Sequence, residues 1–180
     1  SGDVDLLFCL GGNFISATPQ TARTSKAVQN VAMTIHVSTK LNRSHLITGD
    51  ESLILPCLGR TELDKQKGIE QFVTVENSMG VVHMSKGGLK PASINLRSEP
   101  WIVAELASKT IENSKIPWLN LVDDYDEIRN LIEKSIPGFE QYNQRVRSPN
   151  GFELPNPPRD KLEFATIDGK AQFSINDAPN

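Results

Sequence analysis

Two segments carry the residues that could do chemistry. Gly11-Gly12-Asn13 comes directly after one apolar run, and Ser38-Thr39-Lys40-Leu41-Asn42-Arg43-Ser44-His45 comes directly after another. Glycines at the end of a strand let a backbone approach a phosphate closely, and Asn13 offers both a donor and an acceptor. The second segment gathers hydroxyls, an amide and two cations, a set able to hold a diphosphate and a ribose or a base. The bland alternatives are a tight strand exit for the first segment and a solvated loop for the second. Neither is GxGxxG, so the ordinary nicotinamide fingerprint is absent.

Other groups give weaker grounds for chemistry. The histidines are His36, His45 and His83, and the cysteines are Cys9 and Cys57. None falls in a CxxC, an HExxH or a zinc-spaced cluster. His36 lies within a strand and reads as structural, and Cys57, after Pro56, reads as a packed thiol. Glu62 and Asp64 read as decoration of a surface loop, and Asp123 and Asp124 as charges at a helix start that complement its dipole. There is no GxSxG nucleophile elbow, so the chain offers no catalytic residue and no metal ligand set.

The elements that must position these segments alternate. Val4 to Leu10 is apolar except for Asp5, which suggests a strand covered on both faces, as in a parallel sheet. Ser16 to Asn30 reads as a helix capped by Thr18 or Thr21, with Ala27, Val28 and Val31 toward the sheet. Met33–Val37 and Leu53–Leu55 are the next strands, the last stopped by Pro56. This is the βαβ rhythm of a doubly wound sheet. Phe72–Val75 is a short strand with a turn after it. Ser98 caps a helix that has Pro100 in its first turn. Trp101, Ile102, Leu106 and Ala107, flanked by Val103 and Ile111, form its apolar face. Asp124–Ile136 is another helix, stopped by Pro137-Gly138, and a shorter one follows in Phe139–Val146. Ser148–Arg159, with four prolines, reads as an extended linker. Phe164–Phe173 reads as a hairpin turning at Asp168-Gly169. The expected fold is therefore α/β, a three-layer, doubly wound, mostly parallel sheet with C-terminal helices and a hairpin tail. Residues 1–147 form the domain, and residues 148–180 a Pro-rich linker and hairpin leading toward a further C-terminal domain.

Composition sets outer limits. At 180 residues, 38% hydrophobic and 23% charged, the chain suits one core domain with a tail. A net charge of −3 argues against nucleic acid as a partner, since phosphate neutralisation needs a basic surface. No apolar run reaches the roughly 20 residues of a membrane span. Two cysteines in apolar settings suggest a reducing, cytoplasmic location. The opening residues enter a strand with no lead-in and lack a signal-peptide pattern, which reads as a piece cut from something larger.

Taken together, DLLFCLGGN, HVSTKLNRSHL, LILPCLGRTE, FVTVENSMGVVHMSKGGLKPAS and SEPWIVAELA resemble the central region of formate dehydrogenase-like molybdopterin oxidoreductases. The subgroup most similar is the one often called oxidoreductase alpha (molybdopterin) subunit, and the likeness runs from about Asp3 to Ile111. The resemblance implies a domain that cradles one of two molybdopterin guanine dinucleotides. It points to Gly11, Gly12 and Asn13, then Thr39, Asn42 and Ser44, with Lys40 and Arg43 as phosphate partners. Many relatives have an aspartate where this chain has Ser38-Thr39. The family's metal-ligating residue and iron–sulfur cysteines lie N-terminal to this region, so the parent would hold molybdenum and possess an iron–sulfur cluster elsewhere. The parent would also act on a small-molecule substrate, and this piece, whose partners are the parent's remaining domains, would be inactive alone. Two rivals stand beside it: a non-enzymatic interaction domain, and a mononucleotide-binding module of another enzyme class.

Overall fold

A computed structural model describes residues 3–176; Ser1, Gly2 and the last four residues of the tail lie outside the described residues. The chain is mixed α/β, with seven α-helices and three small sheets, one of them parallel, among the described residues. It divides into two compact units. One takes residues up to Phe72 together with Lys86–Glu127, and the other takes Val73–Ser85 and everything from Ile128 on.

The first unit is built on strands β1 (Leu6–Leu10), β2 (Met33–Ser38) and β3 (Glu51–Pro56), parallel and in that spatial order. Parallel neighbours need a crossover of a dozen or so residues. The first crossover holds α1 (Phe14–Ala17) and α2 (Thr21–Gln29), and the second holds only a 3-10 turn, Arg43–Leu46. Val28 and Val31 are buried as expected, but Ala27 is exposed. The capping expectation fails: α2 starts from Gln20 at φ 55° with no side-chain cap, and the Thr18 hydroxyl donates to Phe14 O instead.

The expectation of strands covered on both faces is also not met. In a three-stranded sheet β1 and β3 are both edges, and Leu6, Leu10, Leu53 and Ile54 remain exposed. A small hairpin, β4 (Lys65–Gln66) with β5 (Ile69–Glu70), turns through Lys67 and Gly68, both at positive φ. Then α3 (Glu99–Thr110) starts where the sequence placed it. The Ser98 hydroxyl accepts from Trp101 N at 3.4 Å, and proline occupies the first turn. Of the apolar face expected from the sequence only Ala107 is buried, Ala104 is buried beside it, and the helix packs chiefly on α4 (Trp118–Asp123).

A buried polar chain ties these parts together. Tyr125, the first residue of α5 (Tyr125–Ser135), donates its hydroxyl to Asp64 Oδ2 at 2.5 Å. Its oxygen lies 2.6 Å from Ser98 Oγ, and its backbone N–H donates to Gln71 Oε1 at 2.9 Å. Because the phenol proton is committed to Asp64, Ser98 supplies the proton between the two hydroxyls. Burial first, and then the Asp64 carboxylate, holds the phenol well above its usual pKa. Asp64 is thus a structural anchor rather than surface decoration. Asp124 does serve the helix start, accepting from Asp126 N at 3.0 Å, whereas Asp123 pairs with Lys67.

In the second unit β6 (Val73–Glu76) and β7 (Val81–Ser85) form an antiparallel hairpin whose turn is fixed by Asn77 Oδ1, which accepts from Met79 N and Val81 N. With α6 (Tyr142–Arg145) comes an aromatic cluster: Tyr142 lies 5.6 Å from Phe152 and 4.8 Å from Phe139, ring centre to ring centre. Thr74 Oγ1 bonds the Tyr142 hydroxyl at 2.7 Å.

The segment read as an extended linker is more ordered than that. Phe152–Glu153 forms β8 on β7, and Pro157–Lys161 forms α7 behind an Asn156 cap. The hairpin tail is not formed. Asp168-Gly169 does turn, with Gly169 N donating to Thr166 O at 3.1 Å, but no strand flanks it and Ile167 and Phe173 are exposed. A lone two-stranded hairpin with nothing to pack on is marginal at best in water.

Candidate functional site

The two chemistry-bearing segments meet at the carboxyl ends of β1 and β2, the edge where open α/β sheets bind ligands. Gly11 and Gly12 both sit at positive φ, 66° and 71°, which a side chain would strain. The Gly11 N–H donates to Val37 O at 2.8 Å, so it extends the ladder and is not available to a ligand. A Cβ on Gly12 would meet nothing within 4 Å, so that glycine faces open space.

The clamp between the segments uses three of the residues singled out for ligand contact. Asn42 Nδ2 donates to Gly12 O at 2.8 Å, and Asn42 Oδ1 accepts from Ser44 N at 2.9 Å. Ser44 is buried; its hydroxyl accepts from Ile15 N at 3.1 Å and donates to Asn13 Oδ1 at 3.2 Å. Asn13, Asn42 and Ser44 therefore hold the turn and the loop against each other. Thr39, Lys40 and Arg43 are exposed on the same loop. Ser38 donates its hydroxyl to Lys40 O at 2.8 Å and bends the loop.

Beneath the loop His45 Nδ1 accepts from Asn42 N at 3.0 Å and completes a capping box. Its ring lies 4.9 Å from that of buried His36. The Nε2 atoms of both rings are buried without a hydrogen-bond partner. Burial, and secondarily His45, pushes the His36 pKa down, so a neutral ring is favoured there.

Sequence reasoning missed the third strand's contribution to this edge. Cys57 N donates to Ser38 O at 3.3 Å, and Leu58 N donates to Arg97 O at 2.9 Å, so the approach to α3 runs beside the exit of β3. Glu99, the first residue of α3, brings Oε1 to 3.5 Å from the point a Gly11 Cβ would occupy. Burial first, then Glu99 and Glu62, pushes the Cys57 thiol up to about 11, which fits a packed thiol and not a nucleophile. Glu62, read as surface decoration, has a fixed role: its carboxylate accepts from Gly59 N at 2.7 Å and Ala92 N at 2.6 Å, and these bonds lower its pKa. The signal for Glu99 was its place just after a helix cap, but nothing local linked it to Gly11. Among the described residues there is no group of three or more histidine, cysteine, aspartate or glutamate side chains able to hold a metal ion, and no helix long and apolar enough to cross a membrane.

No protein-family model matches the chain. It is 50% identical over 176 residues to proteins named uncharacterized oxidoreductase in Mycobacterium tuberculosis and Mycobacterium bovis, covering 97% of this chain and 23% of each relative. It is 46% identical over 173 residues to Protein YdeP of Escherichia coli, covering 96% of this chain and 23% of that protein. The chain thus spans about a quarter of the length of the curated relatives it matches, and the mycobacterial ones bear the name oxidoreductase.

Proposed function

We propose that the chain is the part of a molybdopterin-dependent, formate dehydrogenase-like oxidoreductase that cradles one molybdopterin guanine dinucleotide. The observation that carries the reading is the clamp joining Gly12 and Asn13 to Asn42 and Ser44 at the carboxyl edge of parallel strands. The residues fit a dinucleotide. Gly12 faces open space where a ligand can approach its backbone, and Lys40 and Arg43 stand on the exposed lip of the loop with cations suited to a diphosphate. In this reading Thr39, Lys40, Arg43 and the Gly12 backbone touch the nucleotide. Asn13, Asn42 and Ser44 keep the crevice in shape, and Gly11 fixes the turn. Glu99 beside Gly11 disfavours a phosphate at that end and favours a donor-bearing part of the ligand, such as a ribose hydroxyl or a base N–H. When bound, the cofactor supplies metal-centred electron transfer, and the chain contributes orientation and charge. The parent would carry its molybdenum ligand and iron–sulfur cluster in other segments, in the cytoplasm, and this stretch alone would be inactive.

The test is metal and guanine-nucleotide analysis of the full-length protein purified from cells that make the cofactor, beside a Gly12→Trp variant. The expected result is molybdenum with about two guanine nucleotides per chain, falling to about one in the variant while the protein stays folded. A folded parent with neither would overturn the proposal and leave an interaction domain as the better account.

A further inference from the structure

The parallel sheet has an apolar face that α3 leaves open. Phe8, Ile35 and Leu53 stand in register across the three strands, and with Leu55 they form one wall of a groove of about 480 Å³. Trp101 and Leu106 of α3 form the other wall. The charges at its rim are already engaged: Lys109 lies 3.8 Å from Glu105, and the Arg97 guanidinium sits over the Trp101 ring.

The apolar surface does not stop at the groove. Leu6 and Leu10 continue the Phe8 row at two-residue spacing and are 53% and 46% exposed, while Leu53 and Leu106 are 41% and 43% exposed. The groove by itself is of a size to take a small molecule. A small molecule seated there would still leave Leu6 and Leu10 in water. Parallel sheets occur with both faces covered, and their usual cover is a helix. The matched relatives offer the material, since this stretch makes up 23% of their length.

We infer that this face is the docking surface for an amphipathic helix contributed by another segment of the same, longer polypeptide. The inference rests on the open face and on the relatives' length, and it holds whether or not a dinucleotide binds at the strand ends.

The test uses the full-length protein, with the photo-crosslinking residue benzophenylalanine at position 53 in one variant and 106 in another. Both are expected to attach, within one polypeptide, to a single stretch outside the 180 residues in which apolar residues recur at helical spacing. In the wild-type protein, carbene footprinting is expected to leave Leu6 and Leu53 as unlabelled as Ile15, which is 1% exposed and serves as an internal standard. Attachment to a second copy or to another protein would overturn the inference. Labelling of the two leucines as in the unfolded chain would do so as well, and so would release of an apolar compound on denaturation without any cross-link inside the chain. The wild-type footprint decides the matter if either variant misfolds.

Discussion

Replacing Ser44 by alanine tests whether the clamp holds the Gly-Gly-Asn turn in place. The hydroxyl is buried and makes two bonds, accepting from Ile15 N at 3.1 Å and donating to Asn13 Oδ1 at 3.2 Å. Alanine leaves the Ile15 N–H buried without an acceptor, a loss of about 1–3 kcal/mol. At about 1.4 kcal/mol per factor of ten, the Ile15 amide should exchange its hydrogen roughly 5- to 150-fold faster when opening is local. The Leu58 amide, bonded to Arg97 O in the same unit, is the reference and should change far less. The assay is amide exchange resolved by NMR on the 180-residue chain. A thermal unfolding curve should show a midpoint about 2–12 °C lower, from roughly 2–4 °C per kcal/mol at this size. Ile15 exchange within about twofold of wild type would refute the claim that Ser44 holds the turn, and equal acceleration of Ile15 and Leu58 would show a global loss instead of a local clamp.

Three further outcomes follow from the other buried groups. Tyr125→Phe leaves Asp64 with the Gln66 amide but without its phenol donor, and deprives Ser98 of its acceptor, so urea unfolding should show a loss of about 1–3 kcal/mol; no loss would mean that the hydroxyl chain is dispensable. Cys57, with its pKa pushed up to about 11, should be only about 0.1% thiolate at pH 8, so its alkylation in the folded chain should be far slower than in urea. Because the folded value lies above the unfolded one of about 8.5, the folded chain holds the proton longer, and this contribution to stability is present below about pH 8.5 and lost as pH rises toward about 11. Cys57→Ala should flatten the stability profile across that window, and an unchanged profile would locate the effect elsewhere.

What the sequence revealed and what it hid divide along the range of the interactions. The strands Met33–Ser38 and Glu51–Pro56, the Ser98 cap and the stop after Ser135 depend on periodicity, a hydroxyl and a proline within a few residues, and all were legible. The burial of β1 was misread because a continuous apolar run encodes a strand made to be covered, not the elements that will cover it. Leu6 and Leu10 accordingly stay exposed in a three-stranded sheet. Phe164–Phe173 failed for a related reason: its Asp-Gly turn is a local signal and forms, but its strands need a packing surface that they do not find.

At the candidate site the residue types were legible but their duties were not. Asn13, Asn42 and Ser44 carry the groups a ligand would want, yet those groups are spent across some 30 residues of chain, with |i−j| of 30 for Asn42 to Gly12 and 31 for Ser44 to Asn13. That pairing is invisible to a window of sequence. It also changes which substitutions are informative. Removing Asn42 or Ser44 perturbs the shape of the crevice, whereas removing Lys40 or Arg43 perturbs only its charge. A ligand that depends on the crevice should therefore bind more weakly in both kinds of variant, with a weaker salt dependence of its dissociation constant appearing only when the cations go.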